Sequence, residues 1–475
     1  DPEVRRLSAH TICHLVSCAT GPREEMIKAG AVNALVLTGL IRSSDEDLVT
    51  RKACCCAMYT LCSTGNIEEL GDWRVVWSAT CMLDLGKEFA IMAVTILANL
   101  SSYPSGRDVI SNKQTIDGLV AVACGKSKVK VSSAVLKSVA LIFHNVVCGY
   151  GRIKEQKKKK IRDVDNFEDE SDGEDFGGDS DSDNDSEKNG DKKSFDGTNL
   201  GLLWQGKEGE HHKSACRIVA KCAGTKALSA LARLEYPETR EMCVAALATL
   251  CTLDDTHERF LKDGGFKTMN EVCQLNRFDL GTKCCWTIRH YCLICAVDAA
   301  LRAGSRYQAV KDGALEMIVP IVESSKTSET DEHCCRCVEL YAQDISAREL
   351  MIDTGVIAAM DELTSGEDLD NSTLQNRVKR FSRTLLHVCS TDLKTRDRLV
   401  QYGAIPLIAR FAKIPSESIA AEAIEALSLL CECEERVETI IYDGGLQIVK
   451  DVLSIGLKGE FGRESHNICE RCSFI

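Results

Sequence analysis

Proline is scarce in this chain, with 7 among 475 residues, and aromatic residues make up only 5%. With 44% hydrophobic residues beside them, this poverty points to a mostly helical soluble protein. Long uncharged apolar runs are missing too, and none approaches the ~18 residues that a membrane span needs. Nucleotide chemistry lacks its loop. The text "CGKS" at 124–127 has Val120 where a phosphate-binding loop requires glycine. There is no Gly-x-Ser-x-Gly elbow for a serine hydrolase. "DSDSDND" lacks the glycine and closing glutamate of a calcium loop. His466, Cys469 and Cys472 offer three zinc ligands where a closed site needs four. Cys292 and Cys295 share one helical face and read as core. The sequence therefore predicts no enzyme, no cofactor and no metal.

What is abundant is cysteine, at 26 residues. Most lie inside amphipathic text such as "KACCCAMYTLC" and "TKCCWTIRHYCLIC", at positions where alanine or valine would serve. There cysteine acts as a small buried hydrophobe, and a reducing intracellular compartment is expected. The tail cysteines, Cys469 and Cys472, are expected to be the most reactive.

Charge is concentrated. Residues 163–191 hold 14 acidic residues and one lysine, a net of −13, which equals the formal charge of the whole chain. Everything outside that tract is balanced. Low hydrophobicity with high charge predicts disorder over 150–208, opened by the basic run "KEQKKKKIR". That run reads either as a nuclear localisation signal or as a counterweight to the tract. Ser171, Ser180 and Ser182 each have an acidic residue three positions on, the pattern of acidophilic kinase sites, and phosphorylation there would deepen the charge.

A turn text recurs along the rest: "KAGAVNALVLTGL", "KDGGFKTMNEV", "KDGALEMIVPIV", "DTGVIAAMDEL", "QYGAIPLIARF" and "YDGGLQIVKDVL". Anchors fall at Gly30, Gly71, Gln114, Gly224, Gly264, Gly313, Gly355, Gly403 and Gly444. Apart from the step across the acidic tract, their spacing is 40 to 49 residues, the period of an α-solenoid. Each unit reads as a short helix, a glycine turn with φ > 0, a second helix, a polar loop, and a longer third helix. The third ends in Ala-Leu-rich text such as "ALATLC" or "ALSLLC".

This order resembles the armadillo repeat family over the whole chain except the insertion; the short first helix argues against a HEAT-type array. The fold expected is an all-α, armadillo-type α-solenoid, a right-handed superhelix of about nine three-helix repeats. It would comprise N-terminal repeats over 1–149, the disordered acidic insertion over 150–208, C-terminal repeats over 209–460 and a tail over 461–475. The resemblance further implies a concave groove lined by third helices that binds extended peptides. Importin-alpha-type members line it with recurring Trp and Asn. Here only Asn99 and Asn145 keep the amide, and only Trp286 keeps the indole, paired with His290. Binding of nuclear localisation signals is therefore disfavoured.

Basic residues replace that pattern in part. "NRVKRFSRTLLH" sets Lys379, Arg380, Arg383 and His387 on one helical face, with Arg377 one turn before Arg380 and Arg336 one repeat earlier. Such a groove suits extended acidic or phosphorylated protein segments, with no nucleic acid among the partners. The alternative is that these are solvated positions with buried stems. The terminal "CSFI" resembles a prenylation box on Cys472 and would bring a membrane into play only if it is lipidated. The leading expectation is a non-enzymatic cytoplasmic scaffold. The alternative is a lipid-anchored, membrane- or cilium-associated adaptor, and a nuclear transport adaptor is less favoured.

Overall fold

The computed structural model describes residues 2–18, 23–36, 48–62, 73–127, 129–165, 207–275, 283–325, 328–365, 372–414, 416–432, 437–457 and 472. Among these there is no strand, and each of the two compact units is an all-α stack of three-helix repeats.

The first unit, Asp1–Ala227, holds α1 (Pro2–Cys18), α2 (Arg23–Lys28), α3 (Ala31–Leu35), α4 (Leu48–Cys62) and α5 (Trp73–Met82). It continues with α6 (Lys87–Ser101), α7 (Pro104–Ile110), α8 (Lys113–Ala123), α9 (Ser133–Asp165) and α10 (Lys207–Lys221). The long helices α1, α4, α6 and α9 lie side by side, each against the next. Each buries one stripe, as in Ala93, Val94, Ile96, Leu97 and Leu100 of α6, which no single repeat could cover alone.

The second unit, Leu228–Ile475, takes up within α11 (Gly224–Ala232). Then follow α12 (Pro237–Thr252), α13 (Asp254–Lys262), α14 (Gly265–Leu275), α15 (Lys283–Leu301), α16 (Arg306–Lys311), α17 (Ile318–Glu323) and α18 (Ser328–Ala342). The rest are α19 (Ile345–Asp353), α20 (Val356–Thr364), α21 (Ser372–Cys389), α22 (Leu393–Gln401), α23 (Ala404–Ala412), α24 (Glu417–Cys431), α25 (Val437–Tyr442) and α26 (Gly445–Leu457). Third helices α12, α15, α18, α21 and α24 form a continuous row by pairwise contact. Phenylalanines seal the layers: Phe260 meets Phe266 edge-on at 5.2 Å, and Phe381 meets Phe411 at 5.4 Å.

The turns follow the sequence period. Gly30, Gly264, Gly313, Gly355, Gly403 and Gly444 all have positive φ, 82° at Gly403, where an L side chain is strained. Gly265 is fixed for another reason: a Cβ there would lie 2.2 Å from the Phe260 ring. Two anchors sit differently. At Gly224 the left-handed residue is Ala223, with φ 61°, while Gly224 itself is held by close approach to Val219. At Gln114 the turn is made upstream, where Asn112 caps α8 by accepting from the Thr115 N–H at 3.0 Å. Gly71 lies outside the described residues.

A second periodicity was not read from the sequence. The final carbonyls of a helix lack intrahelical partners, and here a basic side chain on the following first helix supplies one. Arg23 Nε donates to Val16 O at 2.8 Å, Arg306 to Ala300 O at 2.7 Å, Arg348 to Ala342 O at 2.6 Å and Arg396 to Cys389 O at 2.7 Å. A cation at that end also suits the helix dipole. Histidine takes the place twice: His257 Nδ1 donates to Cys251 O at 2.7 Å, and His212 Nε2 donates to Val147 O. The second case spans the insertion. Past Val147 the helix continues, and α9 runs through the lysine text to Asp165. Lys, Gln and Glu are strong helix formers, and their run carries the helix on.

Candidate functional site

The third-helix row is where the sequence places its candidate groove, and the two units use it differently. In the first, the amides turn inward. Asn99 Nδ2 donates to Cys62 O at 3.2 Å, and Asn145 Nδ2 donates to Ser101 Oγ at 3.0 Å. Each ties its helix to the end of the preceding third helix. The hydroxyls of Thr60 and Thr95 bond back to carbonyls of their own helices.

In the second unit, Trp286 of α15 is 37% exposed, with the Arg289 guanidinium 5.9 Å from its ring centroid, and His290 one turn on is exposed. The basic residues of α21 do share a face, but most are engaged by carboxylates of the flanking third helices. Arg377 meets Asp331 at 3.0 Å and the Ser328 hydroxyl at 2.8 Å. Arg380 bridges Glu332 at 2.7 Å and Glu339 at 2.5 Å. Arg383 reaches Glu339 at 3.5 Å on α18 and Glu422 at 3.1 Å on α24, and Ser382 also donates to Glu422. The arginines are therefore rungs between α18, α21 and α24.

Two cations differ. Arg336 on α18 and Lys379 on α21 are part-exposed and meet no carboxylate among the described residues. Burial, followed by the positive charge of Arg348, pushes His387 below its ordinary pKa, so it is neutral near pH 7.

Several expected sites fall elsewhere. Ser171, Ser180 and Ser182 lie outside the described residues, as does Cys469. Cys472 is described and buried, 3% exposed, contrary to the expectation of a freely reactive tail thiol. The core-filler reading of the clusters holds for Cys54, Cys55, Cys334, Cys335 and Cys337, which are fully buried, while Cys56 is part-exposed. Burial pushes the Cys335 thiol up to about 12. Cys292 and Cys295 are likewise buried in α15.

One cluster was not singled out from sequence. Cys251, His257 and Asp298 bring a thiol, an imidazole and a carboxylate within 4.8 Å of one another. Burial alone would raise the Cys251 thiol, but hydrogen bonds with Cys295 and His257 and the nearby imidazole hold it below its ordinary value. The three residues are 6 and 41 positions apart in sequence, too far for a local motif to reveal.

No protein-family model matches the sequence, and comparison with curated proteins finds no match. Solved structures similar to this chain align at low identity. An engineered protein aligns over 100% of this chain and 96% of its own, at 16% identity and TM-score 0.44. A designed armadillo repeat protein aligns over 50% of this chain and 100% of its own, at 13% identity and TM-score 0.32. UNC-45 from Drosophila melanogaster aligns over 99% of this chain and 54% of its own, at 14% identity and TM-score 0.44.

Proposed function

We propose that the chain is a non-catalytic scaffold that binds extended protein segments along the third-helix row of its second unit. The observation that carries this reading is the placement of Trp286, His290, Arg336 and Lys379 on successive third helices, with Trp286 and His290 exposed and Arg336 and Lys379 meeting no carboxylate among the described residues. An exposed indole gives a bound segment an apolar anchor. Two cations without carboxylate partners among the described residues favour acidic or phosphorylated side chains. The pairing of Arg377, Arg380 and Arg383 limits that preference, since most of the basic charge is already matched. The protein belongs in the cytoplasm on this reading, where its many thiols stay reduced. Lipidation at Cys472 is disfavoured while that residue is buried.

The acidic tract 163–191 is a competitor on the same chain, strengthened by phosphorylation at Ser171, Ser180 or Ser182. Affinity for a fluorescent acidic peptide, with and without residues 163–191, tests the reading. Removing the tract should tighten binding at low salt and matter less as salt screens exposed charge within ~8–10 Å. Reversing Arg336 and Lys379 to glutamate should weaken binding at least about tenfold, roughly 1.4 kcal/mol. Acidic-peptide affinity untouched by that reversal would refute the reading.

A further inference from the structure

We infer that Cys251, His257 and Asp298 form a zinc-binding site that clamps two successive repeats of the second unit. Thiolate, imidazole and carboxylate together suit Zn²⁺, which takes sulfur, nitrogen and oxygen donors in tetrahedral array.

The donor atoms stand close to the spacing that zinc requires. With Zn–S near 2.3 Å and Zn–N or Zn–O near 2.0–2.1 Å, tetrahedral ligands lie ~3.6 Å apart for S···N and ~3.3 Å apart for N···O. Cys251 Sγ is 3.8 Å from His257 Nδ1, and His257 Nδ1 is 3.7 Å from Asp298 Oδ2. Those two edges need a contraction of a few tenths of an ångström, and the third, from Cys251 Sγ to the carboxylate, lies within 4.8 Å. The protein supplies three ligands, and the fourth position falls to water, as in zinc sites that keep one position open.

The outer hydrogen bonds are those a metal site uses to orient its ligands. His257 Nε2 faces Ser305 Oγ at 2.8 Å, so with Nδ1 on the metal the Nε2–H has an acceptor waiting. Asp298 is held by Arg302, whose Nε donates to Oδ2 at 2.8 Å. Arg302 also donates to Thr252 O at 3.0 Å, fixing the carboxylate against the end of α12. Zinc binding displaces the bonds from His257 Nδ1–H to Cys251 O and from the Cys251 thiol to Cys295 O; the thiol proton leaves to solvent, and the imidazole proton moves from Nδ1 to Nε2, facing Ser305. The Asp298 side chain is 23% exposed while that of His257 is 5% exposed, which leaves an entry path on the carboxylate side.

The position of His257 sharpens the argument. In the three following repeats the same capping bond is made by Arg306, Arg348 and Arg396. Arginine suffices for capping in those repeats, whereas at this junction the capping imidazole has both a thiol and a carboxylate in reach. The site joins α12, α13 and α15, so its binding energy would add to the stability of that junction.

The test is titration of the full-length, reduced protein with Co²⁺, followed by displacement with Zn²⁺ and measurement of zinc content after purification. The expected result is a stoichiometric tetrahedral cobalt spectrum with thiolate-to-cobalt charge transfer, abolished by a matching amount of zinc. His257→Arg keeps the capping donor and removes a ligand. It should retain the helical circular dichroism and lose the cobalt spectrum, with zinc affinity down at least about a hundredfold. Cys251→Ser should lose the charge-transfer band. No tetrahedral spectrum in the parent protein, or one equally strong in His257→Arg, would overturn the site, because metal would then sit on other thiols or on none.

Discussion

Arg348 reaches back from α19 and donates from Nε to the main-chain oxygen of Ala342 at 2.6 Å, closing the end of α18. Its Nη1 also donates to Ser390 Oγ at 3.0 Å, beyond the next third helix, so one guanidinium ties two repeats. The side chain is 8% exposed. Arg348→Ala should cost about 2–3 kcal/mol, since it deletes charged hydrogen bonds and leaves a buried carbonyl without its donor. Arg348→Lys should recover little, because an ammonium lacks the planar fork that serves two acceptors. Urea denaturation of the second unit's transition measures both; a loss under 0.5 kcal/mol for alanine (about the surface-substitution level) would remove the cap from the account.

His212 makes the equivalent bond across the insertion, and its burial, opposed only in part by the bond to Val147, lowers its pKa from 6.5 to about 4. A depressed folded pKa means the unfolded chain takes up the proton first as pH falls. Stability from this group is complete above pH 6.5, declines between 6.5 and 4, and falls no further below that. The loss amounts to ~3 kcal/mol at the acid end of that window. His212→Gln, which stays neutral, should flatten this part of the stability–pH curve. Parallel curves for both proteins between pH 6.5 and 4.5 would contradict the assignment.

The Arg380–Glu339 pair carries a prediction about the rungs. Glu339 is 8% exposed, so Arg380→Ala should leave its carboxylate with only the longer Arg383 contact at 3.5 Å and destabilise by about 2 kcal/mol. Removing both side chains should cost less than the sum of the single changes, and raised salt should alter the pair little, because buried pairs are weakly screened. Additive losses in a double-mutant cycle would show that the two do not interact.

Thiol accessibility separates core from surface. Under reducing, native conditions Cys18, which is exposed, should be alkylated well before Cys334, Cys335 or Cys337, which are buried. Burial also holds the Cys335 thiol at a pKa of about 12, leaving negligible thiolate at neutral pH. Mass-spectrometric labelling rates would give the order, and fast labelling of the 334–337 cluster would mean that α18 is not packed as described.

The architecture was legible because its signals are local and repeated. A glycine that must adopt positive φ, followed by an apolar helix, marks Gly264, Gly313, Gly355, Gly403 and Gly444, and the period between them names the solenoid. The misplaced anchors have local causes: an alanine took the left-handed position before Gly224, and an Asn cap did the work expected near Gln114. The state of the basic face was not legible. Arg380 and Arg383 meet partners 39 to 48 residues away in sequence, and nothing within α21 tells whether those neighbours are acidic. The capping arginines left a readable trace, a basic residue six or seven positions past the carbonyl it caps, hidden by ordinary surface arginines around it. The Cys251–His257–Asp298 cluster left none, since its members come from three helices.

The central claim is that partner segments lie along the third helices of the second unit. The measurement that tests it most directly is photo-crosslinking of an extended acidic peptide carrying a single photoreactive residue to the full chain, with adducts located by mass spectrometry. The account predicts adducts on α15, α18 and α21, near Trp286, His290, Arg336 and Lys379, lost when Arg336 and Lys379 are reversed together. Adducts concentrated on the second helices α14, α17 and α20, or spread evenly along the chain, would contradict it.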